Sequence, residues 1–146
     1  MTRPLTLETI TPESVAPYGT IIDWDPSLEV TGQRFHVLMR SEAPTGWRLA
    51  VLKVRERAME RMENHPTTEE LFAPIEGQAV IVLAEAGPFD EARIRAFLLD
   101  RPISLKPGVW HDVFSLSEWA TILIAENLQV SGERVTLHKP VSAVLD

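Results

Sequence analysis

Short apolar runs broken by Pro and Gly dominate the chain. Val80-Ile81-Val82-Leu83 and Thr121-Ile122-Leu123-Ile124 are continuously apolar and largely β-branched, which predicts strands buried on both faces. Further strands are expected at Thr20 to Asp23, Arg34 to Met39, Arg48 to Arg55, Phe72 to Pro74, Ile94 to Leu99, Ile103 to Leu105, Val109 to Ser115 and Val135 to His138. The two apolar runs extend to Ala79–Ala84 and Ala120–Ala125. The eleven Pro and seven Gly fall mostly between these runs, so many short strands are favoured over a few long helices. A spacing of roughly ten residues with turns between suggests a sandwich or barrel.

Two segments depart from the strand rhythm. Thr11-Pro12-Glu13-Ser14-Val15 begins like a helix, with Thr11 as N-cap, Pro12 at the first helical position and Ser14 at the third. It stops at the turn Pro17-Tyr18-Gly19. Glu56 to Glu63 is a helix by propensity alone, with Met59 and Met62 on one helical face. It is read as a strand on the expectation that tertiary context overrides propensity.

The 146 residues suit one domain, 1–146, with no internal repeat or low-complexity linker. The absence of cysteine excludes disulfides, thiolate metal sites and cysteine nucleophiles. The start of the chain does not read as a signal peptide, and no window approaches the eighteen apolar residues of a membrane span. The expected address is the cytoplasm, with no membrane partner. A net charge of −7 argues against a nucleic-acid partner. One cationic cluster, Arg48, Lys53, Arg55, Arg57 and Arg61, is interleaved with Glu56, Glu60 and Glu63. It reads as a solvated face, or as one or two cations turned inward to hold a small carboxylate.

Candidate chemistry concentrates in two places. Glu63-Asn64-His65-Pro66 is followed by Glu70 and Gly77, and Pro107-Gly108-Val109-Trp110-His111 comes some forty residues later. Residues two apart on a strand share a face, so Glu63 and His65 are able to point inward together. His65, Glu70 and His111 form a candidate metal set for Mn, Fe, Ni or Zn, among which ligand type does not choose. In the metal-free alternative, His65 and His111 act as an acid/base pair. Glu63 is a fourth ligand or an acid/base group. Lys53 or Arg55 is the candidate carboxylate clamp, and strand alternation puts both on one face. His36 and Lys106 are further proton-transfer candidates, and Trp110 is a candidate pocket wall. Trp24, Trp47 and Trp119 read as core or interface packing, and His138 as a surface residue.

Glu63-x-His65, then Glu70 and Gly77, resembles the first cupin motif, with Glu63 in the first His position. Pro107-Gly108-x-x-His111 resembles the second, with Ser115 where its terminal Asn usually stands. Over most of its length the chain also resembles the ureidoglycolate lyase family of small cupins. The resemblance runs through Leu7 to Gly19, Gly19-Thr20-Ile21-Ile22-Asp23, Arg34-Phe35-His36, Glu63-Asn64-His65-Pro66, Phe72-Ala73-Pro74, Arg95-Ala96-Phe97 and Val109-Trp110-His111. It implies an all-β cupin-type double-stranded β-helix, a jelly-roll barrel, with a short N-terminal helix. It also implies a homodimer with a small-acid pocket, splitting ureidoglycolate into glyoxylate and urea in purine-nitrogen salvage. The chain departs from the family pattern at Asp112-Val113-Phe114, where His-Pro-Leu is usual. It departs again at Val37 for Asp, Glu70 for Gln and Pro107 for Arg. These departures keep two alternatives open: a metal-dependent isomerase, lyase or hydrolase acting on another small hydroxy or sugar acid, and a non-catalytic cupin that binds a small acid.

Overall fold

Eight strands of the computed structural model, which describes residues 1–32, 34–40 and 46–145, pair as one long antiparallel ribbon wound on itself. In chain order the strands are β1 (Arg3–Glu8), β2 (Gly19–Ile21), β3 (Trp47–Val54), β4 (Met59–Asn64), β5 (Glu70–Glu76), β6 (Ala79–Ala84), β7 (Arg95–Leu98), β8 (Ile103–Leu105), β9 (Trp110–Ser115), β10 (Ala120–Asn127) and β11 (Glu133–Val144). Strand β6 pairs with β7, β5 with β8, β4 with β9 and β3 with β10, all antiparallel. This nesting is the double-stranded β-helix, and it lays down two sheets. One closes as the barrel β1-β11-β4-β9-β6-β7; the other is ordered β2-β8-β5-β10-β3.

The predicted strands at 79–84 and 103–105 form with the expected bounds, and most of the others shift by only a residue or two. Val80 to Leu83 are fully buried, as a strand covered on both faces requires. Ile122 is fully buried as well, but its neighbours Thr121 and Leu123 are only half-buried, because the outer side of this sheet has no second layer among the described residues. Ile124, on the inward face, is partly buried against the inter-sheet core. The expected strand Arg34 to Met39 is irregular chain instead. Strand β1 was not foreseen: Leu5 and Leu7 alternate correctly, but Pro4 and the short length hide the pattern. Pro4 is tolerated because β1 has a partner on only one side at a time, β11 along residues 3–6 and then β7 at Leu7 and Glu8. An ion pair between Arg95 and Glu8 ties it to β7.

Met59–Asn64 is a strand, so tertiary pairing overrides its helical propensity. Met59 and Met62 are buried with Val80, Val82, Trp110 and Phe114 in a core on the outer face of the barrel sheet. A second core fills the space between the two sheets, around Phe72, Ile81, Leu83, Phe97, Ile103 and Ile122. The helix α1 (Pro12–Val15) starts as predicted. Thr11 Oγ1 accepts from Ser14 N at 3.0 Å, and Ser14 Oγ accepts from Thr11 N at 2.8 Å. Its Val15 seals one end of the inter-sheet core. Among the described residues no helix is long and apolar enough to cross a membrane.

Candidate active site

The site forms where β4 leaves the barrel and β9 enters it. Glu63 pairs directly with His111, so both project to the same side, into the space between the sheets. His65 sits in the turn beyond β4, and its carbonyl accepts from Gly108 N at 3.0 Å. With the Glu63–His111 pairing, that backbone bond joins the two motifs. Gly108 makes it from a left-handed conformation (φ 83°) that glycine adopts without strain. Gly77 is required for a different reason: at φ 76° a Cβ there would lie 2.2 Å from the Trp119 carbonyl. Glu70, the first residue of β5, completes the group from the facing sheet.

Four side chains meet. His111 Nε2 lies 3.2 Å from Glu70 Oε1 and 4.0 Å from Glu63 Oε1. His65 Nε2 lies 3.5 Å from Glu70 Oε1 and 3.7 Å from Glu63 Oε1. The imidazoles stand 5.1 Å apart, and Phe72 packs edge-on against His111. Each ring is held from behind by a carbonyl: His111 Nδ1 by Val109 O at 2.9 Å, His65 Nδ1 by Ser131 O at 3.2 Å. A proton on each Nδ1 then leaves both Nε2 lone pairs facing the carboxylates, the tautomer a metal-ligating histidine needs.

His111 Nε2 and Glu70 Oε1 are both buried without an aligned hydrogen-bond partner. Orphaned donors and acceptors of this kind cost free energy unless a third species stands between them. Two imidazoles and two carboxylates with converging atoms fit a divalent cation, and Glu63, His65 and His111 offer one ligand atom each within 4.8 Å of one another. His65, Glu70 and Glu126 offer a second, overlapping set. In the absence of a cation, burial pushes the His111 pKa down, but the adjoining Glu70 carboxylate, the Val109 carbonyl and the charge of Glu63 together outweigh it and the net shift is upward.

Glu126 is a site residue that sequence reasoning missed. On β10 it falls in the same inward row as Ile122 and Ile124, and the alternation was its only signal. Its side chain is 8% exposed, and its Oε2 accepts from Arg48 Nε at 2.9 Å and from Arg48 Nη2 at 2.6 Å. Glu63 has a cation of its own, Arg134, whose Nε lies 3.2 Å from Glu63 Oε2.

Other candidates lie elsewhere. Lys53 and Arg55 do share a face, but it is the outer one: Lys53 Nζ lies 5.0 Å and Arg55 Cζ 5.9 Å from the centre of the Trp119 ring. Neither clamps a ligand in the inter-sheet space. Trp110 points away from His111, as adjacent strand residues must; it packs on Phe89, and its Nε1 donates to Gly87 O at 2.9 Å. It is therefore no wall of this pocket. Lys106 Nζ donates to Ala16 O at the end of α1, 3.0 Å away, which is a structural role. His36 stacks edge-on against Trp24 and lines a cavity of about 670 Å³ that reaches Glu126 but not His65 or His111. Trp24 and Trp47 are exposed rather than core. His138 is on the surface, where its Nδ1 meets Glu91 Oε2 at 2.6 Å.

A family model described as ureidoglycolate lyase matches residues 2–137. The chain belongs to the ureidoglycolate lyase family. Within this family of enzymes, it is 26% identical over 140 residues to the ureidoglycolate lyase of Burkholderia mallei (strain NCTC 10229), covering 85% of this chain and 82% of that one. It is 29% identical over 138 residues to that of Brucella abortus biovar 1 (strain 9-941), covering 84% and 82%. Among solved structures it is similar to a dTDP sugar isomerase from Desulfovibrio desulfuricans G20, at 20% identity and a TM-score of 0.48 over 66% of this chain and 71% of that one.

Proposed function

We propose that the His65–Glu70–His111–Glu63 cluster eliminates urea from ureidoglycolate to give glyoxylate. The observation that carries this is the pair of imidazoles with Nδ1 tied back and Nε2 turned on two carboxylates. In the reaction the substrate hydroxyl loses its proton, its C–O bond becomes the glyoxylate carbonyl, and the C–N bond breaks. The departing urea nitrogen takes a proton, so the reaction needs one group to accept and one to donate. Glu63 is suited to exchange protons with substrate. It is the more open of the two carboxylates, and Arg134 fixes one of its oxygens while the other faces the histidines. His111, buried against Phe72 with its Nε2 turned on the carboxylates, orients the reacting hydroxyl when a metal is bound and serves with His65 as the acid/base pair when none is. His65, Glu70 and His111 would hold a divalent metal, with Glu63 beside them. When bound, such an ion supplies a Lewis acid that lowers the pKa of the substrate hydroxyl.

The proposal includes a homodimer. Its support is the outer face of the β5-β10-β3 sheet, where Trp47, Leu49, Val51 and Ile75 are all more than half exposed. Light scattering at micromolar concentration tests it, and a monomeric mass would end it.

The test of function is glyoxylate release from racemic ureidoglycolate by protein reloaded with Mn, Ni or Zn, run beside a chelated sample. Turnover abolished by chelation supports reaction and metal together. Turnover indifferent to chelation keeps the reaction and leaves the proton transfers to His65 and His111. No turnover in any sample rejects the reaction.

A further inference from the structure

Any small acid that reaches this cluster enters a space walled by Glu63, Glu70 and Glu126, in a chain of net charge −7. An anion needs a compensating cation there. Sequence reasoning looked to Lys53 and Arg55, which the register of β3 turns outward. The same register decides which cation faces in. Val54 pairs with Ala120, Leu52 with Ile122, Ala50 with Ile124 and Arg48 with Glu126. Paired residues share a face, and Ala120 and Ile122 are buried in the inter-sheet core. Arg48 is thus the inward cation of this strand, at the end nearest His65.

Its attachment has a particular form. Nε and Nη2 both donate to one oxygen of Glu126, so the side edge of the guanidinium is engaged. Nη1 has no partner among the described residues, and together with the second N–H of Nη2 it presents an end-on edge with the spacing for a bidentate carboxylate. Glu126 in turn has an oxygen within 4.8 Å of ligand atoms on His65 and Glu70, and it also lines the cavity of about 670 Å³ at this end of the sheet.

We propose that Arg48 binds the carboxylate of the substrate, a small 2-hydroxy or 2-oxo acid, and that Glu126 is the positioning residue that aims it. The proposal rests on the small-acid reading of the site but not on the reaction assigned to it. The acid is held at the Arg48 end while its hydroxyl or carbonyl oxygen reaches the His65–Glu70–His111 group. Glu126 need not be displaced, because it uses a different edge of the guanidinium. Specificity for an acid over its amide then resides in one side chain.

The experiment is calorimetric binding of glycolate and of its neutral isostere glycolamide to the full chain, in parallel with ureidoglycolate turnover. The wild type is expected to prefer glycolate. Arg48→Gln is expected to lose roughly ten- to hundredfold in glycolate affinity with little change for glycolamide. Arg48→Lys recovers part of that loss as a point charge, and Glu126→Gln gives a smaller loss because the guanidinium is then less well held. Lys53→Gln, on the outer face, changes neither ligand. If turnover is affected, Arg48→Gln raises KM more than it lowers kcat. Equal binding of both ligands by wild type, no binding of either, or glycolate affinity unchanged in Arg48→Gln would each overturn the assignment. Glycolate binding that depends on Arg48 without any ureidoglycolate turnover would remove the reaction and leave the acid site standing.

Discussion

The two ends of strand β3 carry the same kind of side chain and use it differently. Arg48 lies at the end where β10 finishes with Glu126 and the metal-type cluster begins. Lys53 and Arg55 lie at the other end, stacked over Trp119 and facing outward. Lys53 stands an odd number of positions after Arg48, and in a strand that alone decides which face a side chain takes. A cation's usefulness to a site is therefore set by its parity along the strand. Its nearness in sequence to the other charged residues carries no such information.

Removing a group at the site end should have the largest effect. His111→Ala is expected to lower glyoxylate formation by roughly 10²- to 10⁴-fold, while Trp119→Ala at the far end leaves turnover near the parent value. Steady-state assays of the two variants side by side check this, and near-wild-type activity in His111→Ala would erase the functional distinction between the ends.

A structural change at the site end comes next. Gly132 packs against the end of β4, where an added Cβ would lie 1.7 Å from Asn64 O and 2.9 Å from His65 Nδ1. Gly132→Ala should destabilise the protein by about 1–3 kcal/mol and disturb His65, because the obstructing atom is backbone and unable to swing aside. Denaturant melts should show the shift; a midpoint equal to wild type would mean that the β4–β11 junction is looser than described.

Asp112 tests the reverse side of β9. Burial raises its pKa to about 6, helped by the negative charge of Glu63 and opposed by the Val113 amide, His111 and Arg61. Because its folded pKa lies above the ordinary 3.8, the folded state binds more protons between about pH 4 and 6, and stability falls as pH rises through that window. Asp112→Asn keeps an oxygen acceptor for Val113 N and should remove this fall, gaining about 1–3 kcal/mol above pH 6. Thermal melts of metal-free protein at pH 4 and pH 7 measure the difference, and a variant that gains as much at pH 4 as at pH 7 would contradict it.

The smallest effect is expected on the outer face. Lys53→Gln removes only an exposed cation–ring contact, worth less than about 1 kcal/mol, and its melting curve should nearly overlie that of wild type.

Much of the fold was legible because its signals are local. Ala79–Ala84 is too apolar for anything but a doubly covered strand, and Thr11 with Ser14 spells a reciprocal cap within four residues. The site was legible in part for the same reason. His65, Glu70 and His111 sit in short motifs with turn residues at fixed offsets, and Gly108 makes a bond that joins them. Reading failed where partners are remote. Arg34 to Met39 has the strand pattern but finds no strand partner among the described residues and stays irregular. Met59–Asn64, by contrast, becomes the expected strand, against its helical propensity, because β9 and β11 flank it. Arg3–Glu8 was not among the expected strands, because its two partners lie at β7 and at β11 near the far end of the chain.

Composition and spacing by themselves determined an acidic, cysteine-free, strand-rich chain with two histidines and two carboxylates placed to meet. Those properties follow from residue type and from the two-residue period of a strand, which any reader of the chain can count. Only the tertiary structure decided which face each strand turns inward, and with it that Arg48 and Glu126 join the site while Lys53, Arg55 and Trp110 leave it. The reason is physical: alternation fixes relative orientation within one strand, but the absolute sense comes from pairing with strands some seventy residues away and from the core those strands must bury.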